Sequence, residues 1–366
     1  MKGALAKTKH YQISQLLGER VKFLAPGDPL PTVAELMSEY QVSQATISQA
    51  LERLRKLGVI ERPVGRKRLM VANDAERAIY RIVFIRPSWP SPDFDGLVYA
   101  IQEAAIARQW GIDIFCYGAI ENLNLARALE SNDAAIFVSG AHPLPDHIKK
   151  AMRSSEKPIV FLRARPPHPG ARAVSLDDYS VGKLATQHLV KLGHRRIVAL
   201  MSEPPTWHSS RRLAGWQEAM SKARVSAVSS LLADCSVAAG SDGMSGAYEK
   251  FTLWLRQLDR PKFSALFCLD WTGALAAMRA LREANISIPE QVSLITFAGE
   301  EKWTAYLNPP LTTVEINTAE FATKAIRQVE QAFAISGDQE HYDQIIKPFL
   351  IERASTLPYK VGRPYV

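Results

Sequence analysis

Gln44, Ala45, Thr46, Ser48 and Gln49 crowd amide, hydroxyl and methyl groups into six consecutive positions. Such groups break no bonds. They are small enough to enter a groove, can hydrogen-bond to base edges and can pack on a thymine methyl. Further on, Arg62, Gly65, Arg66, Lys67 and Arg68 set cations around a glycine, as a tip touching phosphates or the minor groove requires. Arg53 and the hydroxyls of Thr32 and Ser43 complete the set of candidate contacts.

The surrounding residues predict the elements that would hold these groups. Val33, Leu36, Met37 and Tyr40 recur at helical spacing behind Thr32, which is placed as an N-cap. After a short turn at Gln41 and Val42, Ser43 caps a second helix. Its Ile47, Ala50, Leu51, Leu54 and Leu57 form one buried stripe, and Gly58 ends it. Val59–Arg62 and Leu69–Val71 read as two hairpin strands flanking the basic tip. Residues 1–72 hold twelve Lys and Arg against six Asp and Glu, a net of +6, so the other 294 residues supply only +2 of the +8 total. A three-helix scaffold with a solvated polar face is the competing reading. The local concentration of charge favours a winged helix-turn-helix that binds double-stranded DNA.

Tyr11-Gln12-Ile13, Pro26–Pro31, the Val42–Leu51 run and Gly58–Arg62 together resemble the GntR-type winged helix over about residues 8–72. The chain departs from that family where arginines are usual: Gln44, Ser48 and Ala34 stand there, so the family's operator sequence does not transfer.

The rest of the chain reads differently. At 366 residues, with 47% hydrophobic and 22% charged, it is globular and longer than one ordinary core needs. Residues 73–79 are the expected linker. From residue 80, β-branched runs at 81–85, 113–115, 135–138, 159–162, 196–200, 265–268 and 292–297 alternate with helical stretches at 94–109, 179–192, 211–223, 244–257 and 271–284. Such alternation predicts an α/β architecture of parallel sheets covered by helices, divided into two lobes. The N-terminal stretch lacks an apolar core of signal-peptide length, and no apolar run approaches membrane-spanning length, so a cytoplasmic location is expected. Cys116, Cys235 and Cys268 are isolated and read as reduced core residues; no metal site is expected.

Val174–Leu189, Leu192–Ile197 and Arg212–Trp216, with Ala274–Leu281, Ile288–Ser293, Asn308–Val314 and Glu352–Thr356, resemble the effector domain of the lactose and galactose repressor family over about residues 80–357. The resemblance implies a periplasmic-binding-protein-like domain with two Rossmann-like parallel sheets and a small ligand in the cleft between lobes, at the carboxyl ends of the strands. Lobe 1 is expected at about 80–163 and 298–325 and lobe 2 at about 166–296 and 340–357, with crossovers near 163–166, 296–299 and 325–340 and a tail at 358–366.

That resemblance also implies pocket residues. Arg212 falls on the position whose guanidinium binds ligand hydroxyls, and Asp270 falls in the segment that usually reads Asn-Asp, with Leu269 in place of the asparagine. Where the family usually has an aspartate, the chain reads Phe297-Ala298-Gly299-Glu300, and Arg163 and Arg165 stand where several members carry an acid. The gained cations suit an anionic or unusual ligand, unless they form ion pairs between lobes or face solvent. Trp89, Trp207, His208 and Trp271 lie just past strand ends and offer faces for a sugar ring, or hydrophobic plugs. Asp93 and Asp95 could accept hydroxyl hydrogens or shape their turn, and His194 reads as a structural loop residue.

No phosphate-binding loop, serine elbow or zinc-protease motif occurs, and Gly240–Gly246 lacks dinucleotide spacing. A pyridoxal-phosphate enzyme fused to a GntR unit is the enzymatic rival, but the second resemblance already fills the space it needs. The expectation is therefore a non-enzymatic, cofactor-free regulator. As a homodimer on a palindromic operator, it would repress carbohydrate genes under a sugar or sugar-derived effector, a purine or nucleoside effector being the alternative.

Overall fold

The computed structural model describes residues 9–21, 23–63, 65, 68–72, 80–88, 91–139, 144–163, 170–225, 231–238, 241–257, 262–299, 302–333, 343–360 and 366. The N-terminal unit comprises α1 (Lys9–Val21), α2 (Val33–Tyr40), α3 (Gln44–Lys56), β1 (Ile60–Glu61) and β2 (Met70–Val71). Leu17, Leu36, Ile47, Ala50, Leu54 and Val71 bury into its own small core. The two strands pair antiparallel, with Ile60 opposite Val71 and Glu61 opposite Met70. Gln41, in the left-handed region at φ 52°, turns the chain between α2 and α3.

The first lobe's sheet is built from β3 (Arg81–Pro87), β4 (Gly111–Tyr117), β5 (Ala134–Val138), β6 (Ile159–Leu162) and β7 (Arg172–Leu176), with α4 (Pro92–Ile106), α5 (Leu125–Leu129) and α6 (Asp146–Ser154) between strands. The chain then enters the second lobe through α7 (Asp178–Lys191), β8 (Ile197–Met201), α8 (Trp207–Lys222), β9 (Leu232–Asp234), α9 (Gly243–Arg256), β10 (Ala265–Cys268), α10 (Trp271–Glu283), β11 (Ser293–Gly299) and β12 (Thr312–Glu315). Helix α11 (Thr318–Phe333) and β13 (Asp343–Ile346) return to the first lobe, and β14 (Phe349–Ile351) closes the second. Strand orders are β4-β3-β5-β6-β7-β13 and β9-β8-β10-β11-β12-β14, every pairing parallel except β12 with β14. Each order reverses at its second strand, β3 or β8. That places a crevice at the carboxyl ends of β3 and β5 in one sheet and of β8 and β10 in the other.

The lobe boundaries differ from the expected ones. Neither β7 nor β12 is among the expected strands; β7 falls in the span expected for lobe 2 but joins the first sheet, and β12 falls in the span expected for lobe 1 but joins the second. The crossovers therefore lie at residue 177, at 316–317 and at 347–348. Short strands that alternate with no clear helical stretch escape a reading of β-branched runs, and the run alone does not say which of two parallel sheets buries it. The segment 358–366 also packs, at both ends: Tyr359 N donates to Leu192 O at 2.8 Å, and Val366 and Phe263 exchange backbone hydrogen bonds. Cys235 and Cys268 are buried as expected, whereas Cys116 is exposed because β4 is an edge strand. The expected linker 73–79 lies outside the described residues.

Candidate functional site

Two surfaces gather the polar groups singled out above. On the first, Thr32 forms a capping box with Glu35: Thr32 Oγ1 accepts from Glu35 N at 3.3 Å, and Glu35 Oε2 accepts from Thr32 N at 2.6 Å. Ser43 Oγ accepts from Thr46 N at 3.4 Å and lies 3.0 Å from Thr46 Oγ1. These hydroxyls fix the start of α2 and α3 and leave Gln44, Ala45, Ser48 and Gln49 exposed on one helix. Arg62, Gly65 and Arg68 are exposed at the wing, with Gly65 at φ 81° meeting open space. Arg66 and Lys67 lie outside the described residues.

Arg53 departs from the expected DNA contact. Its Nη2 is 2.8 Å from Asp133 Oδ1 of the first lobe, its side chain is 15% exposed, and Nη1 donates to Ser14 Oγ at 3.1 Å. The guanidinium also lies over the rings of Tyr11 and Tyr80, 4.6 and 5.5 Å from their centroids. Position 53 sits on a flank of α3 that meets the first lobe, a docking that helix periodicity cannot reveal.

The second surface is the cleft between lobes. Thr206 caps α8 and sets its first turn; one turn further in, Arg212 is 4% exposed. Its Nε donates to Asp178 Oδ1 at 2.8 Å and Nη1 to Leu269 O at 2.7 Å, and its guanidinium lies 4.1 Å from the centre of the Phe297 ring. Asp178, the first residue of α7 beyond the first crossover, also holds His208 Nδ1 at 2.5 Å. From the opposite lobe Arg163, at the end of β6, pairs with Asp93 and reaches within 5.8 Å of the same Phe297 ring. A register shift between Phe297 and Gly299 bends β11 at this point.

Asp270 N-caps α10, accepting from Gly273 N at 2.9 Å and from the hydroxyls of Ser202 and Thr272. Burial would raise the Asp178 carboxyl, but Arg212 and then His208 reverse this and hold it at about 2. Glu203, just past β8, is solvent-exposed but closely surrounded by protein atoms and by the charges of Asp270, Arg212, Arg163 and Asp93. That enclosure first, and the nearby Asp270 charge second, push its carboxyl up to about 7. A folded state that binds this proton more tightly than the unfolded chain loses stability as pH rises from the ordinary carboxylate range to 7. Glu203→Gln is expected to remove that slope. Its thermal transition should lie above that of the parent protein at pH 8 and near it at pH 5; an equal offset at both would mean that Glu203 ionises normally.

Of the expected pocket residues, Asp93, Arg163, His208 and Arg212 come together around Phe297. Asp95 instead pairs with Arg86, and Asp270 spends its oxygens on the cap. Trp207 is half exposed under Arg211, and Trp271 meets Trp303 edge-on at 5.6 Å and 77°. Trp89, Arg165 and Glu300 lie outside the described residues. Both described arginines already face a carboxylate, and the described acids of the cleft (Asp93, Asp178, Glu203 and Asp270) outnumber them. Of the two gained cations on which the anionic-ligand expectation rested, Arg163 is paired with Asp93, and Arg165 lies outside the described residues. Sequence reasoning missed Asp178, Glu203 and Phe297 as site residues. The Asp177-Asp178 pair at a helix start was a usable signal, although Asp177 is the one that caps, accepting from Ser180 N at 3.0 Å. His194 is structural as expected, with Ser264 Oγ at 2.9 Å and Leu357 O at 3.0 Å on its two ring nitrogens.

Residues 12–67 match the bacterial regulatory proteins of the gntR family, and residues 186–356 match the periplasmic binding protein-like domain. A Streptomyces limosus protein described as an uncharacterized HTH-type transcriptional regulator is 27% identical over 357 residues, 92% of this chain and 97% of that one. The HTH-type transcriptional regulator GalR of Escherichia coli is 28% identical over 223 residues, 60% of this chain and 62% of GalR. Among solved structures, a LacI family transcriptional regulator from Enterococcus faecium with bound ribose superposes with a TM-score of 0.65 at 23% identity, covering 76% of this chain and all of that one. Among the described residues, no helix is long and apolar enough to cross a membrane.

Proposed function

We propose that the chain, a transcriptional regulator of LacI/GalR type with a gntR-type DNA-binding domain, represses carbohydrate genes under an uncharged, hydroxyl-rich effector. The observation carrying this reading is the meeting of Arg163–Asp93 from one lobe with Arg212–Asp178–His208 from the other around Phe297. Charge-balanced forks and carboxylates can donate to and accept from hydroxyls, while the buried Phe297 ring backs the two guanidiniums. With Arg163 and Arg212 each already paired to a carboxylate, neither offers an uncompensated charge to an acid or a phosphate. Ligand closure of the lobes would shift the spacing of two winged helices in a homodimer, and with it the affinity for a palindromic operator in the cytoplasm. A coupling of about 1–3 kcal/mol changes affinity roughly 5- to 150-fold.

Thermal unfolding against neutral sugars, sugar acids, sugar phosphates and purines tests the reading, because a ligand of the folded state raises the transition temperature. Neutral sugars should raise it and the charged derivatives should not; a shift confined to acids or phosphates would overturn the ligand class. The Trp271–Trp303 pair keeps a purine as the second reading, and a shift with purines alone would favour it.

On the DNA side, Gln44→Ala should change base preference, with a loss of about 1–3 kcal/mol at the preferred base pair. Arg66→Ala and Lys67→Ala should weaken binding to all sequences and each reduce the salt slope by about one. Quantitative binding to randomised duplexes at several salt concentrations measures both, and unchanged behaviour in all three variants would remove the wing-and-helix assignment.

A further inference from the structure

The contact between the DNA-binding unit and the first lobe is built from specific side chains on both sides. Helix α11 starts at Thr318, directly after the crossover at 316–317, and packs along α4, β6 and β7 of the first lobe. Its 16 residues span about 24 Å and end on Phe333. That ring stacks on Tyr80 at 4.3 Å and 12°, meets Trp110 edge-on at 6.1 Å and lies 6.3 Å from Tyr11 of α1. Tyr80 in turn takes a hydrogen bond from Gln15 of α1. Arg53 of α3 closes the cluster: it covers both tyrosines and pairs at 2.8 Å with Asp133, whose other oxygen accepts from Arg81 N at 2.9 Å. Tyr11 and Tyr80 are 5% and 9% exposed, so the contact excludes water as a core does.

We propose that Arg53 is a docking pin, not a DNA contact, and that α11 carries movement of the lobe hinge through Phe333, Tyr80 and Tyr11 to the recognition helix. A rigid helix that begins in the hinge and ends on the DNA-binding unit cannot turn at one end and stay fixed at the other. Rotation about residues 316–317 therefore re-aims α3, which carries Gln44, Ala45 and Ser48 on its exposed face. The inference rests on the regulator reading above. It differs from it by assigning the route of coupling to named residues.

Linkage allows a test without the effector, since DNA binding must act back on the hinge if the hinge acts on DNA binding. The probe is the duplex that the full-length protein selects from a random-sequence library. Two quantities are measured for the parent protein, Arg53→Ala, Asp133→Asn and Phe333→Leu: the slope of log affinity against log salt, and the change in amide hydrogen exchange that the duplex causes at 312–333. The parent should show a DNA-induced change there. All three variants should lose it while keeping the parent's salt slope. Phe333→Leu keeps the site apolar and so separates loss of the aromatic contact from loss of folding. A slope lowered by about one in Arg53→Ala but not in Asp133→Asn would make Arg53 a phosphate contact and overturn the proposal. So would a parent protein whose hinge exchange ignores the duplex, or variants that retain the parent's response. Failure to select any duplex would instead overturn the regulator reading itself.

Discussion

Arg212→Ala is expected to lower the stability of the sensor domain by about 3–5 kcal/mol, the range for breaking a buried ion pair from one side, and to abolish the effector response. Asp178 is 1% exposed on its side chain and Arg212 5%, so removing the guanidinium leaves a buried carboxylate with His208 as its remaining side-chain partner and Arg163 acting from farther off. The Asp178 carboxyl, held at about 2 by that partner, would then rise toward and beyond its ordinary range. The sign follows: in the parent protein this group's contribution is present above the ordinary carboxylate range and fades as pH falls toward 2; in the variant it is missing at neutral pH already. Thermal unfolding at pH 7 should show a transition on the order of 10 °C lower. The companion Asp178→Asn should also be destabilised, because it leaves the arginine buried and unpaired. The double variant should fall by less than the sum of the two single losses. Additive losses would mean that the pair does not act as a unit, and a fully inducible Arg212→Ala would remove the site.

Gly182→Ala and Gly215→Ala should be as damaging for a different reason. Helices α7 and α8 cross so closely that a Cβ at 182 would stand 1.8 Å from Arg212 O, and one at 215 would stand 2.1 Å from Tyr179 O and 2.7 Å from Lys183 N. Ordinary contact needs roughly 3.5 Å. The opposing atoms are backbone, so no rotamer change relieves the clash and the helices must part. A cost above about 3 kcal/mol is expected, beyond the usual range for overpacking. Because Arg212 and Asp178 ride on these two helices, the effector response should fail with the stability. Gly96→Ala supplies the opposite sign: a Cβ there meets nothing within 4 Å inside α4, so the variant should gain about 0.4–1 kcal/mol. Denaturant melts of the three variants decide this. A Gly182→Ala protein as stable as its parent would show that α7 and α8 do not cross as described.

Much of this molecule was legible before folding because short-range chemistry carries the signal. Thr32 and Ser43 cap where their hydroxyls said they would, and the Ile47–Ala50–Leu51–Leu54 stripe is buried. The β-branched runs from residue 81 onward are strands of parallel sheets. Arg212, singled out from a resemblance, lies in the cleft. These features depend on residues within a turn or two of each other, and i to i+4 spacing records them faithfully.

What the sequence by itself determined was the type of the elements it announced, though not the strands β7, β9, β12, β13 and β14, together with the polar face of α3 and the list of side chains that would end near strand termini. Only the tertiary structure decided their partners. It put β7 in the first sheet and β12 in the second, gave Arg163 to Asp93 and Asp270 to a helix cap, and set Arg53 on Asp133 and two tyrosines. The physical reason is the same in each case. A helix or strand is specified by neighbours along the chain, whereas the fate of a charge depends on which distant carboxylate, carbonyl or ring the packing brings within 3–6 Å, as with Arg212 at 2.8 Å from Asp178 and 4.1 Å from the Phe297 ring.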